Sequence, residues 1–327
     1  MDTVRWGILS TANIGMKKVT PAIQQAANCE VVAIASRVPD QAAEAAAGLG
    51  IPTSYGSYEQ LLAADNIDAV YIPVPNNLHA EWTIKAAAAG KHILCEKPLA
   101  MSAMQAAEMV RACDEAGVTL VEAFMYRHHP SWLAAIGAVR DGSIGELRAV
   151  QSWFSYFNDD PTNIRNRVEN GGGAIMDIGC YNINLSRMLF GGEPTRVAST
   201  VQRDPAMGID TLTSGILEFE GGGQASFACS TRTEGYQRVH IIGTQGRVEI
   251  EIPFNIPPAR ETRIFLTQGG GPPTAPHTET LVFAPADQYT IQAELFAQAI
   301  IDGTDYPVPI SDAIGNMRAI EAVLGSH

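Results

Sequence analysis

The chain has 327 residues, 46% hydrophobic and 17% charged. That length suits about two domains, and the composition is that of a globular protein and not a disordered one. Its 35 acidic and 22 basic residues give a formal net charge of −13, which repels phosphate backbones and anionic lipid, so neither a nucleic acid nor a membrane is expected as a partner.

No uninterrupted apolar run approaches the roughly 20 residues that cross a bilayer. The five cysteines (Cys29, Cys95, Cys113, Cys180, Cys229) are scattered, with no CxxC pair. An odd, scattered set is no disulfide framework, and a reducing cytoplasm is the expected location. The N-terminus runs directly into a strand pattern, without a charged start and apolar core of the secretory kind.

In chain order, residues 4–9 read as a short buried parallel strand and 14–27 as a helix. The turn between them, "GILSTANIG" at 7–15, places Ser10, Ala12 and Gly15 where the dinucleotide fingerprint has three glycines. The chemistry there needs close backbone approach to a pyrophosphate at a helix N-terminus. Ser10, Thr11, Ala12, Asn13 and Ile14 are therefore candidate cofactor contacts. A tight turn with no ligand is the alternative. The second strand, 31–35, ends in Ser36 and Arg37. NAD sites usually carry Asp or Glu there for the ribose 2′-OH, whereas an Arg accommodates a 2′-phosphate. This favours NADP, with NAD as the other option and a solvated strand-end Arg as the bland reading.

The alternation continues with helices at 39–49 and 58–64, a strand at 69–72, a helix at 79–89, a strand at 92–95, a helix at 102–116 and a strand at 119–122. Repeated β-α-β with short connections predicts a parallel, doubly wound Rossmann sheet. The strand at 92–95 runs into "EKPLAM". Ligands of such sheets sit outside the strands' carboxyl ends, so Lys97 is aimed at the same edge as the fingerprint turn. Pro98 restricts Lys97 to extended angles and is a candidate cis position. Glu96 can pair a cation or orient a polar cofactor group; an exposed Glu–Lys pair of little consequence is the alternative.

After about residue 145 β-rich runs follow one another at 147–156, 196–202, 211–220, 224–230, 239–242, 247–252, 263–267 and 280–283. Tight turns such as Glu220-Gly221-Gly222-Gly223 join several of them. They predict an α+β domain with a large, mostly antiparallel open sheet, and helices at 173–190 and 289–302. The predicted domains are 1–122, binding dinucleotide, and 123–327, binding substrate, with a final helix at 311–324 packing back on the first. The uncovered sheet face predicts a homodimer or homotetramer. Residues 269–276, "GGGPPTAP", read as a loop, and Gly325-Ser326-His327 are set aside as a terminal scar or tag.

"CEKPLAM", "STANIG" and "GGGAIMDIGCYNINLSRMLFGG" at 171–192 together resemble the family of glucose–fructose oxidoreductase and inositol dehydrogenase, Gfo/Idh/MocA. The resemblance spans nearly the whole chain. "YGSYEQLL" and "VEAFMYRHHP" look most like its branch of dimeric dihydrodiol dehydrogenase and NADP-dependent D-xylose dehydrogenase.

The resemblance implies that Lys97, Asp177 and Tyr181 form the active site and that Asn76 and His79 lie near the cofactor. A helix-starting residue with no such role is the alternative for His79. Asp177 and Tyr181 are four apart and share a helix face. Many relatives have His where this chain has Tyr181, which disfavours an inositol substrate. Arg127, in "YRHHP", is expected on the nicotinamide side, with a structural surface Arg as the rival. Asn163 and Arg165, in "FNDDPTNIRNR", are expected sugar contacts on a substrate-covering loop, with a solvated loop as the rival. His128 and His129 are adjacent, and no HExxH or Cys cluster accompanies them, so no metal is expected.

The expected activity is hydride transfer between NADP and a polyol or an aldose, oxidising C1 to a lactone. An unperturbed tyrosine, pKa about 10, is a poor base at pH 7, and a neighbouring lysine cation favours its phenolate. That gives Tyr181 as acid/base, Lys97 as its activator and oxygen ligand, and Asp177 as holder of the sugar or of Lys97. The alternatives are a trans-dihydrodiol dehydrogenase, a reductase of a 1,5-anhydrofructose-type dicarbonyl, a glucose–fructose oxidoreductase that retains its cofactor, and a non-catalytic cofactor-binding regulator.

Overall fold

A computed structural model describes residues 2–269 and 277–325. The loop predicted at 269–276 lies, from residue 270 on, outside the described residues, as do Ser326 and His327. The chain divides into two units: residues 1–125 with 289–317, and residues 126–288 with 318–327.

The first unit runs β1 (Val4–Leu9), a π-helical turn (Gly15–Val19), α1 (Thr20–Gln25), β2 (Cys29–Ala35), α2 (Pro39–Leu49), β3 (Thr53–Tyr55), α3 (Tyr58–Leu62), β4 (Ala69–Ile72), α4 (His79–Ala88), β5 (His92–Cys95), α5 (Ala103–Ala116) and β6 (Leu120–Glu122). The local signals are plain. Pro39 opens α2 and Gly50 closes it at φ 66°, while Ser102 Oγ caps α5 by accepting from Gln105 N at 3.1 Å. The six strands pair in parallel in the order β3-β2-β1-β4-β5-β6. Strand order reverses between β1 and β4, so the switch point lies at the end of β1, where the fingerprint turn begins. β3 has three residues and no apolar pattern, and the sequence reading passes over it.

The second unit contains α6 (Pro130–Arg140), β7 (Leu147–Phe157), a π-helical turn (Ile175–Gly179), α7 (Cys180–Phe190), β8 (Arg196–Arg203), β9 (Asp210–Glu218), β10 (Gln224–Ser230), β11 (Arg232–Gly243), β12 (Gly246–Ile250), β13 (Thr262–Gln268) and β14 (His277–Phe283). The order is β14-β13-β12-β11-β7-β10-β9-β8. Every pair is antiparallel except β7 with β10. β7 is inserted between two meanders, β8 to β10 and β11 to β14. One face is buried through Val150, Phe154, Leu217, Phe227 and Ile241. Asn182 on α7 donates to Ser152 Oγ on that face at 2.8 Å. The other face leaves Trp153, Ile216 and Ile242 exposed.

Two helices complete the chain, α8 (Gln288–Asp302) and α9 (Ser311–Gly325). Chain order placed α8 with the second region; its packing places it with the first, where Phe296 meets Trp6 with ring centroids 5.0 Å apart. α9 is divided, residues 311–317 with the first unit and 318–325 with the second. Among the described residues no helix is long and apolar enough to cross a membrane.

Candidate active site

In the first unit, the fingerprint turn takes a glycine-type conformation without the glycine. Ser10 has φ 138°, which side chains rarely adopt and which stores strain. Its hydroxyl folds back on its own turn, accepting from Ala12 N at 3.2 Å and lying 3.5 Å from Pro73 O. Thr11, Asn13 and Ile14 follow at the helix start, where backbone N–H groups have no intrahelical acceptor. A turn with its side chain tucked away at a helix N-terminus fits a pyrophosphate. The helix opens in a π-helical turn, a feature frequent at functional sites.

At the end of β2, Ser36 is buried and Arg37 exposed. Ser36 N donates to Tyr55 O at 3.2 Å, and Ser36 Oγ accepts from Val38 N at 3.2 Å. Burial raises the Tyr58 pKa, and the nearby Arg37 cation opposes this. An exposed guanidinium held beside this strand end fits a 2′-phosphate.

The turn after β5 is tied down from several sides. Tyr71 OH on β4 donates to Glu96 Oε1 at 2.6 Å, and Lys97 N donates to Glu96 Oε2 at 3.4 Å. The Lys97–Pro98 peptide is cis. Leu99 N donates to Glu122 Oε1 at 2.8 Å. His79 has no exposed surface; its Nδ1 faces Pro98 O at 3.0 Å and its Nε2 faces Val74 O at 2.9 Å. Burial pushes its pKa down to about 4, against the pull of those carbonyls. Its Nδ1 side thus faces the turn that presents Lys97, and its Nε2 side the turn after β4. Lys97 and Asn76 are half-buried, the latter in the short 3-10 turn Asn76–Leu78 after β4.

In the second unit, the π-helical turn carries Asp177 and the first turn of α7 carries Tyr181. Arg165 Nε donates to Asp177 Oδ1 at 2.9 Å, and the Tyr156 hydroxyl donates to Oδ2 in a short hydrogen bond. Burial, then the Asp177 charge, raises the Tyr156 pKa, so this phenol stays a donor. Asn163 Oδ1 accepts from Arg165 N at 3.0 Å. The loop thus brings Arg165 to Asp177, while Asn163 caps the short turn that carries Arg165.

Tyr181 is almost fully buried in an aromatic group, with centroids 5.1 Å from Phe254, 5.7 Å from Phe154 and 5.8 Å from Tyr126. Tyr126 OH donates to Asn184 Oδ1 at 2.6 Å, which anchors that ring to α7. Beneath the segment, Asp210 Oδ2 accepts from Ile175 N at 2.8 Å. Gly173 has φ 122°, and a Cβ there would collide with Asp210.

Arg127 lies half-buried in the 3-10 turn Met125–His128. His129 caps α6, its Nδ1 accepting from Ser131 N at 3.2 Å. Among the described residues no group of three or more His, Cys, Asp or Glu is placed to hold a metal.

Sequence reasoning passed over Tyr71, Glu122, Tyr156 and Asp210. Tyr71 and Tyr156 sit inside strand patterns where an aromatic reads as core. Asp210, at the head of a strand, carries no sequence signal.

The arrangement defines a class, the dinucleotide-binding oxidoreductases, and comparison with known proteins agrees. Residues 4–124 match the GFO/IDH/MocA oxidoreductase family with NAD-binding Rossmann fold, and residues 132–249 match the GFO/IDH/MocA C-terminal domain. The chain belongs to this family. It is 45% identical over 323 residues to an uncharacterised oxidoreductase of Rhizobium meliloti, covering 99% of this chain and 96% of that one. It is 42% identical over 322 residues to the NADP+-dependent D-xylose 1-dehydrogenase 2 of Haloferax volcanii, covering 98% and 96%. Among solved structures, a 3-ketoreductase of Actinomadura kijaniata in complex with NADP and TDP-benzene superposes with a TM-score of 0.92 at 28% identity, covering 99% and 98%.

Proposed function

We propose that this oxidoreductase transfers hydride between NADP and an aldose, oxidising C1 of a D-xylose- or D-glucose-like sugar to the lactone. The observation that carries the reading is Tyr181: a nearly buried phenol one helical turn from Asp177, a carboxylate already held by Arg165 and Tyr156. The likeness to the Haloferax D-xylose dehydrogenase supports the sugar class, and Ser36-Arg37 supports NADP over NAD.

A nicotinamide dinucleotide held by the turn Ser10 to Ile14 and by Ser36-Arg37 would supply the hydride acceptor. Tyr181 takes the proton of the substrate hydroxyl. Lys97 supplies the positive charge that favours the phenolate and binds the reacting oxygen. Asp177, fixed on both oxygens, orients Arg165, and together with Asn163 they hold the sugar's other hydroxyls. Asn76 and Arg127 contact the cofactor, and His79 acts by holding the Lys97 turn. In this reading the exposed face with Trp153, Ile216 and Ile242 is buried in a homodimer or homotetramer.

The test is an initial-rate screen with NADP+ or NAD+ against D-xylose, D-glucose, L-arabinose, D-galactose, myo-inositol and a trans-dihydrodiol, following reduced cofactor. Fastest turnover with NADP+ and an aldose is the expected result. Turnover only with the dihydrodiol or with myo-inositol overturns the sugar assignment. A monomer at micromolar concentration in sedimentation overturns the oligomer.

A further inference from the structure

Arg232 opens β11 with a side chain only 19% exposed. A guanidinium so far from water is costly unless its donors are met. Its five N–H groups form a rigid fork that can tie several segments at once. Here Nη1 donates to Asn158 O and lies 3.1 Å from Thr231 O and 3.4 Å from Asn166 Oδ1. Nη2 lies 3.8 Å from Asp204 Oδ2 and 3.4 Å from Met207 Sδ. One side chain thus joins the loop after β7 to the turn between β8 and β9.

Each of these segments is also ordered from within. Asn166 is buried, and its Nδ2 donates to Asp160 O at 2.8 Å and lies 3.3 Å from Asn158 O. Asp204 Oδ1 accepts from Ala206 N at 2.9 Å and from Met207 N at 3.0 Å. The two come close just beyond the loop, where a Cβ on Gly208 would stand 3.3 Å from Val168 Cγ2. Gly173 N donates to Arg165 O at 2.9 Å, and a Cβ on Gly172 would collide with that carbonyl. Among these anchors stands Arg165, whose Nε reaches Asp177 Oδ1 at 2.9 Å. We propose that Arg232 is a positioning residue: by pinning the start of the 158–167 loop and its Asn166 turn, it sets where Arg165 meets Asp177, and so the affinity for the sugar. That last step rests on the substrate roles given to Arg165 and Asp177 under the proposed function; the pinning does not.

The test compares wild type, Arg232→Met, Arg165→Ala and the double variant in steady-state oxidation of D-xylose by NADP+. Arg232→Met is expected to raise KM about tenfold, as loss of a hydrogen bond from a charged group does, with kcat within about threefold. The double variant is expected to match Arg165→Ala, because Arg232 acts through it. Effects that multiply overturn the proposal, as does a KM for Arg232→Met within about twofold of wild type. Limited digestion with trypsin supplies a readout that needs no substrate. Cleavage after Arg165 or Arg167 is expected to quicken about tenfold in Arg232→Met, with cleavage after the exposed Arg111, on α5, unchanged. Equal quickening at all three, or none, overturns the pinning. If wild type turns over no aldose, the sugar reading fails on its own, and the trypsin comparison alone decides for Arg232. Should Arg232→Met fail to fold, Arg232→Lys, which keeps the charge and loses the fork, is read in the same two assays.

Discussion

Asp210 accepts the backbone N–H of Ile175 at 2.8 Å and so caps, from β9, the segment that carries Asp177 and Tyr181. Thr213 Oγ1 lies 3.3 Å from the same oxygen. Burial raises the Asp210 pKa above its ordinary 3.8 despite these donors. The folded state then binds this proton more tightly than the unfolded chain. Asp210 therefore lowers stability progressively as pH rises from 3.8 through its raised pKa, and the loss is complete above it.

Asp210→Asn keeps an acceptor and removes the charge. The expected outcome in urea unfolding between pH 4 and 7 is a flatter pH dependence than wild type, with no loss at pH 7. Asp210→Ala removes the cap and is expected to cost roughly 2 kcal/mol. Equal losses for Asn and Ala would refute the capping role.

His79 carries the opposite pH dependence. Its pKa falls from 6.5 to about 4 on folding, because a fully buried imidazolium is disfavoured. Between those values the unfolded chain takes up a proton that the folded one refuses. The stability is whole above 6.5 and is lost as pH falls toward 4, a term of order 3 kcal/mol. His128 and His129, also lowered by burial to about 4, act in the same direction. The melting temperature of His79→Gln, measured at pH 7 and pH 5, is expected to drop less between the two than that of wild type. An equal drop would show that His79 contributes nothing to acid sensitivity.

What the sequence makes legible here is local. Pro39 and Gly50 bracket α2 at its observed ends, and the short apolar runs 69–72 and 92–95 coincide with β4 and β5. Three-residue β3 and helix α6 escape, one too short to show a period and the other apolar on most sides. β11 begins at Arg232, well before the apolar run at 239–242, because its first half is polar and pairs across irregular register. At the site, Lys97, Asp177 and Tyr181 stand out because their motifs are contiguous. Tyr156 and Asp210 do not, because they reach Asp177 and Ile175 from 21 and 35 residues away. Distant partners of that kind leave no spacing to read.

Cofactor choice is predicted to reside in Arg37. Arg37→Ala removes the guanidinium from the end of β2 and leaves Ser36 buried. The kcat/KM for NADP+ is expected to fall about 10- to 100-fold, with that for NAD+ within about threefold, as suits one charge-assisted contact with a phosphate. Steady-state kinetics with both cofactors decide it; an equal fall for both would assign Arg37 a general structural role.

Tyr181→Phe separates chemistry from packing. The ring contacts with Phe254, Phe154 and Tyr126 survive the change, so the melting temperature should barely move. Turnover at saturating sugar is expected to drop roughly 10²- to 10⁴-fold, the usual contribution of an acid–base group. Turnover within about tenfold of wild type would remove Tyr181 from the proton-transfer role.

The contact between Trp6 and Phe296 has a consequence for how the chain comes to be folded. Trp6 lies in β1, yet the helix that covers it follows some 290 residues later in the chain. A nascent chain halted after β6 therefore displays an uncovered indole, and so would a fragment cut at residue 125. The core of the dinucleotide unit stays open while the whole second sheet is synthesised. A closure between such distant segments is slow, so this chain is expected to need protection during translation more than its parallel sheet alone would suggest.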